Sequence, residues 1–232
     1  MKRGSFIVIE GTDGSGKSEQ FKRLAWRLRQ AGFRVTTFDF PRYGEPSSHF
    51  VREYLTGRYG SWKDVGPERA SAFYALDRLG AQEEIRAALR AGKTVVSNRY
   101  VASNMGHQGA KLQNAKKRRA FLRWVRGFEY GMLGIVRPDL NIILHVPARI
   151  AQKLVGKKGE RKYLKGKKRD IHEADIKHLA QAEKTYLEIA KLFPRDFKLV
   201  ECVGNGKLLS KEAVEEKVWS VVKKFLTKKP VG

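Results

Sequence analysis

Within its first eighteen residues the chain carries the groups needed to hold phosphate. Phe6-Ile7-Val8-Ile9-Glu10 runs as an apolar strand into Gly11-Thr12-Asp13-Gly14-Ser15-Gly16-Lys17-Ser18, which fits Gly-x-x-x-x-Gly-Lys-Ser. The three glycines open backbone conformations closed to residues with a Cβ, so successive N–H groups can turn toward phosphate oxygens. Lys17 adds a point charge for the β- and γ-phosphates of a nucleoside triphosphate, and the Ser18 hydroxyl is placed to meet Mg²⁺. A chance glycine-rich turn would lack the strand before it and a helix after it. Here Phe21, Leu24, Ala25 and Leu28 recur at helical spacing directly behind the loop.

A loop of this kind needs a parallel sheet behind it, and the chain supplies the strands. Four further apolar runs, at 34–38, 94–97, 140–146 and 198–203, read as buried parallel strands. Helical patterns separate them: 70–91, closed by Gly92, then 118–133 and 173–192, and a last helix opened by Ser210 as N-cap. Strand and helix in alternation predict an α/β fold, a five-stranded parallel sheet with helices on both faces. Ligands of such sheets bind beyond the carboxyl ends of the strands, so residues 39–44, 98–109 and 147 onward should converge on the loop.

Composition narrows the class. The 232 residues suffice for one α/β domain spanning 1–232, and no Pro/Ser-rich linker divides them. One cysteine, Cys202, excludes a disulfide framework and a cysteine-cluster metal site, and suits a reducing, cytoplasmic setting. The apolar run behind Met1-Lys2-Arg3-Gly4-Ser5 is too short for a signal peptide or a membrane span. Forty-eight Lys+Arg against 24 Asp+Glu give a net charge of +24, which attracts polyanions nonspecifically, nucleic acid included. The excess is spread along the chain, which favours solvated surface lysines, and no aromatic-plus-basic strand pattern marks a single-strand platform. One cluster is dense: nine Lys and Arg between Lys153 and Arg169, where repulsion disfavours a helix.

Three further segments combine with the loop: Phe40-Pro41-Arg42-Tyr43-Gly44, Phe73-Tyr74-Ala75-Leu76-Asp77-Arg78 and Asn98-Arg99-Tyr100-Val101-Ala102-Ser103-Asn104. The ordered set resembles the thymidylate kinases, nucleoside monophosphate kinases of the P-loop NTPase fold. The likeness continues through Trp124 to Glu129, Arg137-Pro138-Asp139 and Arg169 to Glu173, and fades over the last thirty residues. It implies ATP-dependent phosphorylation of dTMP to dTDP for dTTP synthesis, with Mg²⁺, in a homodimer. Other deoxynucleotide or deoxynucleoside kinases of the same fold, and a nucleic-acid-binding protein with the same loop, are the alternative readings.

Physical chemistry makes the set intelligible on its own terms. Transfer between two polyanions is mainly charge neutralisation and alignment. Arg42 and Arg99, just past two predicted strand ends, can grip a phosphate with planar two-pronged bonds; surface ion pairing is the alternative, and the poorer one for two arginines at strand ends facing one loop. Tyr74 and Arg78 lie four apart on one helix face, so a ring can stack a pyrimidine while the guanidinium donates to its edge. Core packing is the alternative for Tyr74, with Phe73 the better core residue. The resemblance implies that Arg42 and Arg99 hold the acceptor phosphate with Tyr43 beside it, and that Tyr74 stacks on thymine while Arg78 meets its O4. It also implies that Asn104 touches the base with Gln108 nearby, and that Asp13 stands near the acceptor and the metal. The basic stretch, about 153–172, resembles the family lid that closes over ATP. Some relatives carry a loop arginine where Ser15 stands, so Arg161 and Arg169 of the lid are expected to supply the charge that completes transfer.

Two positions depart from the family pattern. Asn98 replaces the usual metal-linked aspartate, which leaves Mg²⁺ to Ser18, the ATP phosphates and another acid such as Asp13 or Glu173. His107 stands where many relatives carry a tyrosine bordering the sugar.

Overall fold

The computed structural model describes residues 3–155 and 176–228. Five strands, β1 (Phe6–Gly11), β2 (Val35–Asp39), β3 (Thr94–Asn98), β4 (Leu140–His145) and β5 (Phe197–Glu201), form one parallel sheet in the order β2-β3-β1-β4-β5. β1 is central and buried at every position, as an uninterrupted apolar run predicts. β2 and β5, also expected to be buried, are the edges instead. Thr37, Asp39, Lys198, Leu199 and Glu201 reach solvent there, because an edge strand has a neighbour on one side only.

The helices are α1 (Lys17–Gln30), α2 (His49–Leu55), α3 (Trp62–Gly80), α4 (Gln82–Arg90), α5 (Val101–Gly109), α6 (Ala115–Arg126), α7 (Ala148–Val155), α8 (Ile176–Leu192) and α9 (Lys211–Lys228). α1 and α9 cover one face, where Ile7 and Ile9 pack with Leu24, Leu28, Val214, Val218 and Val222. On the opposite face Phe6 and Val8 meet Ile85, Met105, Leu122 and Ile189 from α4, α5, α6 and α8. The period-2 alternation of β1 therefore feeds two cores, one on each side of the sheet.

Helical boundaries differ from the sequence pattern in instructive ways. The run predicted over 70–91 is two helices, α3 and α4, separated at Ala81. α3 begins earlier than its apolar pattern, because Ser61 and Asp64 form a reciprocal capping box and the chain kinks at Gly66 before Pro67. Leu76 and Leu79, which lie on related faces of this run with Phe73, Ala88 and Leu89, are 41% and 38% exposed. The run predicted over 118–133 is α-helical only to Arg126; a π-helical turn at Gly127–Met132 follows and buries Glu129 completely. The last predicted strand stops at Glu201, and Val203–Gly204 pairs antiparallel with Lys207–Leu208 around an Asn205-Gly206 turn in which both φ are positive. Ser210 caps α9 as expected, its Oγ accepting the Ala213 N–H at 3.1 Å.

Candidate active site

The loops after β1, β2 and β3 meet at the carboxyl edge of the sheet around a cleft of about 660 Å³. Its floor is the phosphate loop. Gly14 has φ +81°, and a Cβ there would lie 2.3 Å from the Ala151 carbonyl, so only glycine lets the loop pack this closely on α7. Lys17 is buried and donates to the Thr12 carbonyl at 2.6 Å, which lays its chain along the loop. The buried hydroxyls of Thr12 and Ser15 have no hydrogen-bond partner among the described residues, in a loop whose following helix opens its first N–H groups toward the cleft.

Arg99 ties this floor to the opposite wall. Its φ of 64° is left-handed, which costs a residue with a side chain on the order of 1–3 kcal/mol. The surroundings hold it there: Arg99 N–H donates to the Ile9 carbonyl at 2.9 Å, and the next N–H, of Tyr100, donates to Glu10 at 2.7 Å. Glu10 also accepts from Ser103 and Tyr186, and burial raises its carboxyl above the usual range despite these bonds. The Arg99 guanidinium ion-pairs with Asp13 and donates from Nη1 to His107 Nε2 at 3.0 Å. Burial works against the Arg99 charge, but Asp13 together with Glu10 and the neighbouring tyrosines outweighs it and the net shift is upward. An arginine can only donate, so His107 Nε2 is an unprotonated acceptor. Burial first, with Arg99 adding to it, holds the His107 pKa well below its ordinary value.

Arg42 reaches the cleft from the segment after β2. It donates to Glu84 at 2.9 Å and to Ser47 at 3.3 Å, and its backbone N–H donates to Asp77 at 2.8 Å. Tyr74 stands edge-on to Tyr54, with centroids 6.3 Å apart, and lines the cleft. Arg78 differs from expectation. It is 2% exposed, and Nε and Nη2 grip both oxygens of the fully buried Glu129 at 2.6 and 2.8 Å, which leaves Nη1 outside the pair. Burial lowers the Arg78 pKa and the facing carboxylate more than reverses that, so the guanidinium stays charged. Asn104 Nδ2 donates to the same carboxylate at 2.8 Å. One buried acid thus orients both residues expected at the base. Gln108 accepts from Lys111 at 2.5 Å, and burial pushes the Lys111 ammonium down to about 7.

At the ends of β2 and β3, Asn98 Nδ2 donates to Asp39 at 2.8 Å and lies 3.4 Å from Ser18 Oγ, while Asn98 Oδ1 is buried without a partner among the described residues. Asp39 opens onto the cleft; protein packed behind it raises its carboxyl despite the Asn98 bond. Among the described residues no group of three or more His, Cys, Asp or Glu could hold a metal alone. The Ser18 hydroxyl and the Asp39 carboxylate, bridged by the Asn98 NH₂, do fit Mg²⁺, which keeps waters and takes substrate phosphates as ligands.

A family model for thymidylate kinase matches residues 9–226. The chain belongs to the thymidylate kinase family. It is 35% identical over 186 residues to the thymidylate kinase of Mycobacterium tuberculosis, covering 79% of this chain and 85% of that one. It is 29% identical over 226 residues to the thymidylate kinase of Bradyrhizobium sp., covering 97% and 92%. The solved thymidylate kinase of Candida albicans shares the fold, with a TM-score of 0.74 at 21% identity, over 96% of this chain and 92% of that one.

For a thymidylate kinase family member, the sequence-predicted residues come together well. Asp13, Lys17, Ser18, Arg42, Tyr43, Tyr74, Arg78, Arg99, Asn104, His107 and Gln108 all line the one cleft, with Gly14 and Gly16, while Gly11, Thr12 and Ser15 complete the loop. Arg161, Arg169 and Glu173, and most of the lid expected over 153–172, lie outside the described residues. Sequence reasoning gave no role to Glu129 or Asp39. Glu129 falls in a segment that matches the thymidylate kinases, and Asp39 sits at a strand end of the kind that lines such clefts.

Proposed function

We propose that the cleft transfers the γ-phosphoryl group of ATP to the phosphate of dTMP, giving ADP and dTDP. The observation that carries this reading is Arg99, which bridges Asp13 of the phosphate loop and His107 of α5. Donor and acceptor subsites are thereby joined by a single cation. Lys17 and the loop N–H groups bind the donor phosphates. Arg42, leaving Glu84, and Arg99, still held by Asp13, hold the acceptor phosphate, with Tyr43 alongside. Tyr74 stacks on the base, and Arg78 and Asn104 meet its edge. Asp13 fixes Arg99, and Arg161 and Arg169 of the lid complete the neutralisation. No general base is needed, because a phosphate monoester with a second pKa of about 6 already offers a nucleophilic oxygen at neutral pH.

Ser18, with Asp13 and Glu173 as further acids, would hold Mg²⁺, which when bound neutralises charge on the donor phosphates. The exposed Leu76 and Leu79, one turn apart on α3, support a homodimer, which light scattering tests. A cytoplasmic location agrees with the lone cysteine. Among the described residues no helix is long and apolar enough to cross a membrane.

A coupled ADP-release assay tests the reaction: dTMP should turn over well ahead of dCMP, dGMP and UMP, and unphosphorylated thymidine should not react. Equal rates on all four monophosphates would refute the base pocket, and turnover of thymidine would refute the arginine clamp.

A further inference from the structure

We propose that Asp39 supplies a strand-end carboxylate to this cleft's Mg²⁺ site, alongside the acids named above, with Asn98 as the amide that positions it beside Ser18. The inference rests on the nucleotide reading above and assigns a role to a residue that neither the loop motif nor the family resemblance picks out.

Asp39 and Asn98 are direct register partners at the carboxyl ends of β2 and β3. The Asn98 side chain is 4% exposed and spans from Asp39 to Ser18. A carboxylate only accepts, so the amide must turn its NH₂ toward Asp39, and this settles which end of the amide is oxygen. Oδ1 then points away from Asp39, buried and without a partner among the described residues, in a side chain that lines the cleft. Buried acceptors are rarely left unpaired without a functional reason.

The second observation concerns charge. Asp13 faces Arg99, and Glu84 faces Arg42 while Asp77 receives the Arg42 backbone N–H. Asp39 opens onto the cleft, and among the described residues it forms no ion pair; its one hydrogen bond is to Asn98. Arg99, Lys17 and Lys22 act on it only from beyond ion-pair distance, so this carboxylate repels incoming phosphate unless a further cation joins it. The Asp39 carboxylate and the Ser18 hydroxyl are both hard oxygen donors, and Mg²⁺ is bound by one or two carboxylates together with substrate phosphates and waters. The loop serine paired with an acid from a neighbouring strand end is the arrangement phosphate-loop enzymes use for this ion. Relative to the family aspartate at position 98, the acid has moved across one strand spacing, about 4.8 Å, and the number of charges is kept.

The test measures metal coupling to nucleotide binding, independent of turnover. ADP affinity is determined by calorimetry in saturating Mn²⁺ and in EDTA, and the ratio reports the metal's contribution by linkage. Asp39→Asn should lower this ratio by about 10-fold or more, by weakening ADP binding in Mn²⁺, while ADP affinity in EDTA does not fall, because the removed charge no longer repels the nucleotide. Asp39→Asn combined with Asn98→Asp should restore most of it. An unchanged ratio in Asp39→Asn overturns the proposal, as does equal loss in Mn²⁺ and EDTA or a double variant that fails to recover. Wild-type protein that binds no ADP under either condition would instead overturn the nucleotide reading itself.

Discussion

Replacing Glu129 by glutamine keeps the volume of the side chain and removes only its charge. The carboxylate is fully buried and holds Arg78, itself 2% exposed, through bonds of 2.6 and 2.8 Å. Glutamine offers one acceptor and turns an NH₂ toward one of the guanidinium nitrogens, so Arg78 is left charged, buried and half-paired. Breaking such a pair from one side costs about 3–5 kcal/mol. At about 2–4 °C per kcal/mol for a chain of this size, the melting temperature should fall by roughly 6–20 °C. Because the same carboxylate accepts from Asn104, the lost orientation should raise KM for dTMP and leave KM for ATP near wild type. Scanning calorimetry and steady-state kinetics on Glu129→Gln read both effects. The double variant Arg78→Met/Glu129→Met removes both charges and should recover most of the stability, yet keep a high KM for dTMP. A Glu129→Gln protein that melts within about 2–4 °C of wild type refutes the energetic argument. Equal rises in the two KM values refute the positioning role.

Two other perturbations follow from the geometry. His145, at the end of β4, contacts Glu183 at 2.9 Å and Glu201 at 2.6 Å; partial burial lowers its pKa, but the two carboxylates outweigh it and the net shift is upward. Its stabilisation is therefore complete below about pH 6.5 and is lost as pH rises through the raised folded value. The melting temperature of wild type relative to His145→Gln should fall between pH 6 and 8, and a difference that grows with pH would show the opposite linkage. Gly14→Ala must place a Cβ 2.3 Å from the Ala151 carbonyl at φ +81°. Overpacking of about 1–3 kcal/mol should lower the melting temperature and abolish the further rise that ADP produces in wild type; an undiminished ADP shift in a thermal melt counts against the close fit of loop and α7.

The fold was legible wherever local pattern and global position agree. The apolar run into the phosphate loop, the strands at 94–98 and 140–145 and the Ser210 cap are written in short stretches of chain. The misreadings share one cause. Whether β2 and β5 are edges, and whether Leu76 and Leu79 are buried, depends on what lies beside them, which periodicity does not encode. The π-helical turn at Gly127–Met132 was read as α-helix because a single wider turn is too short to leave its own period in the apolar pattern, and Glu129 is the residue this turn buries.

The site divides along the same line. Residue type and spacing marked the phosphate loop with Lys17 and Ser18, and the resemblance brought Arg42, Tyr74, Arg78, Arg99 and Asn104 into the expected site, where all of them line one cleft. Partnership was decided only by the fold. Glu129 lies 51 residues from Arg78, and Asp39 lies 59 from Asn98. Sequence separation says nothing about charges that the sheet order brings within hydrogen-bonding distance. A motif can name the groups that meet phosphate, because they are contiguous and act through the backbone. The acids that hold those groups in place act through space, and only the packed chain sets that distance.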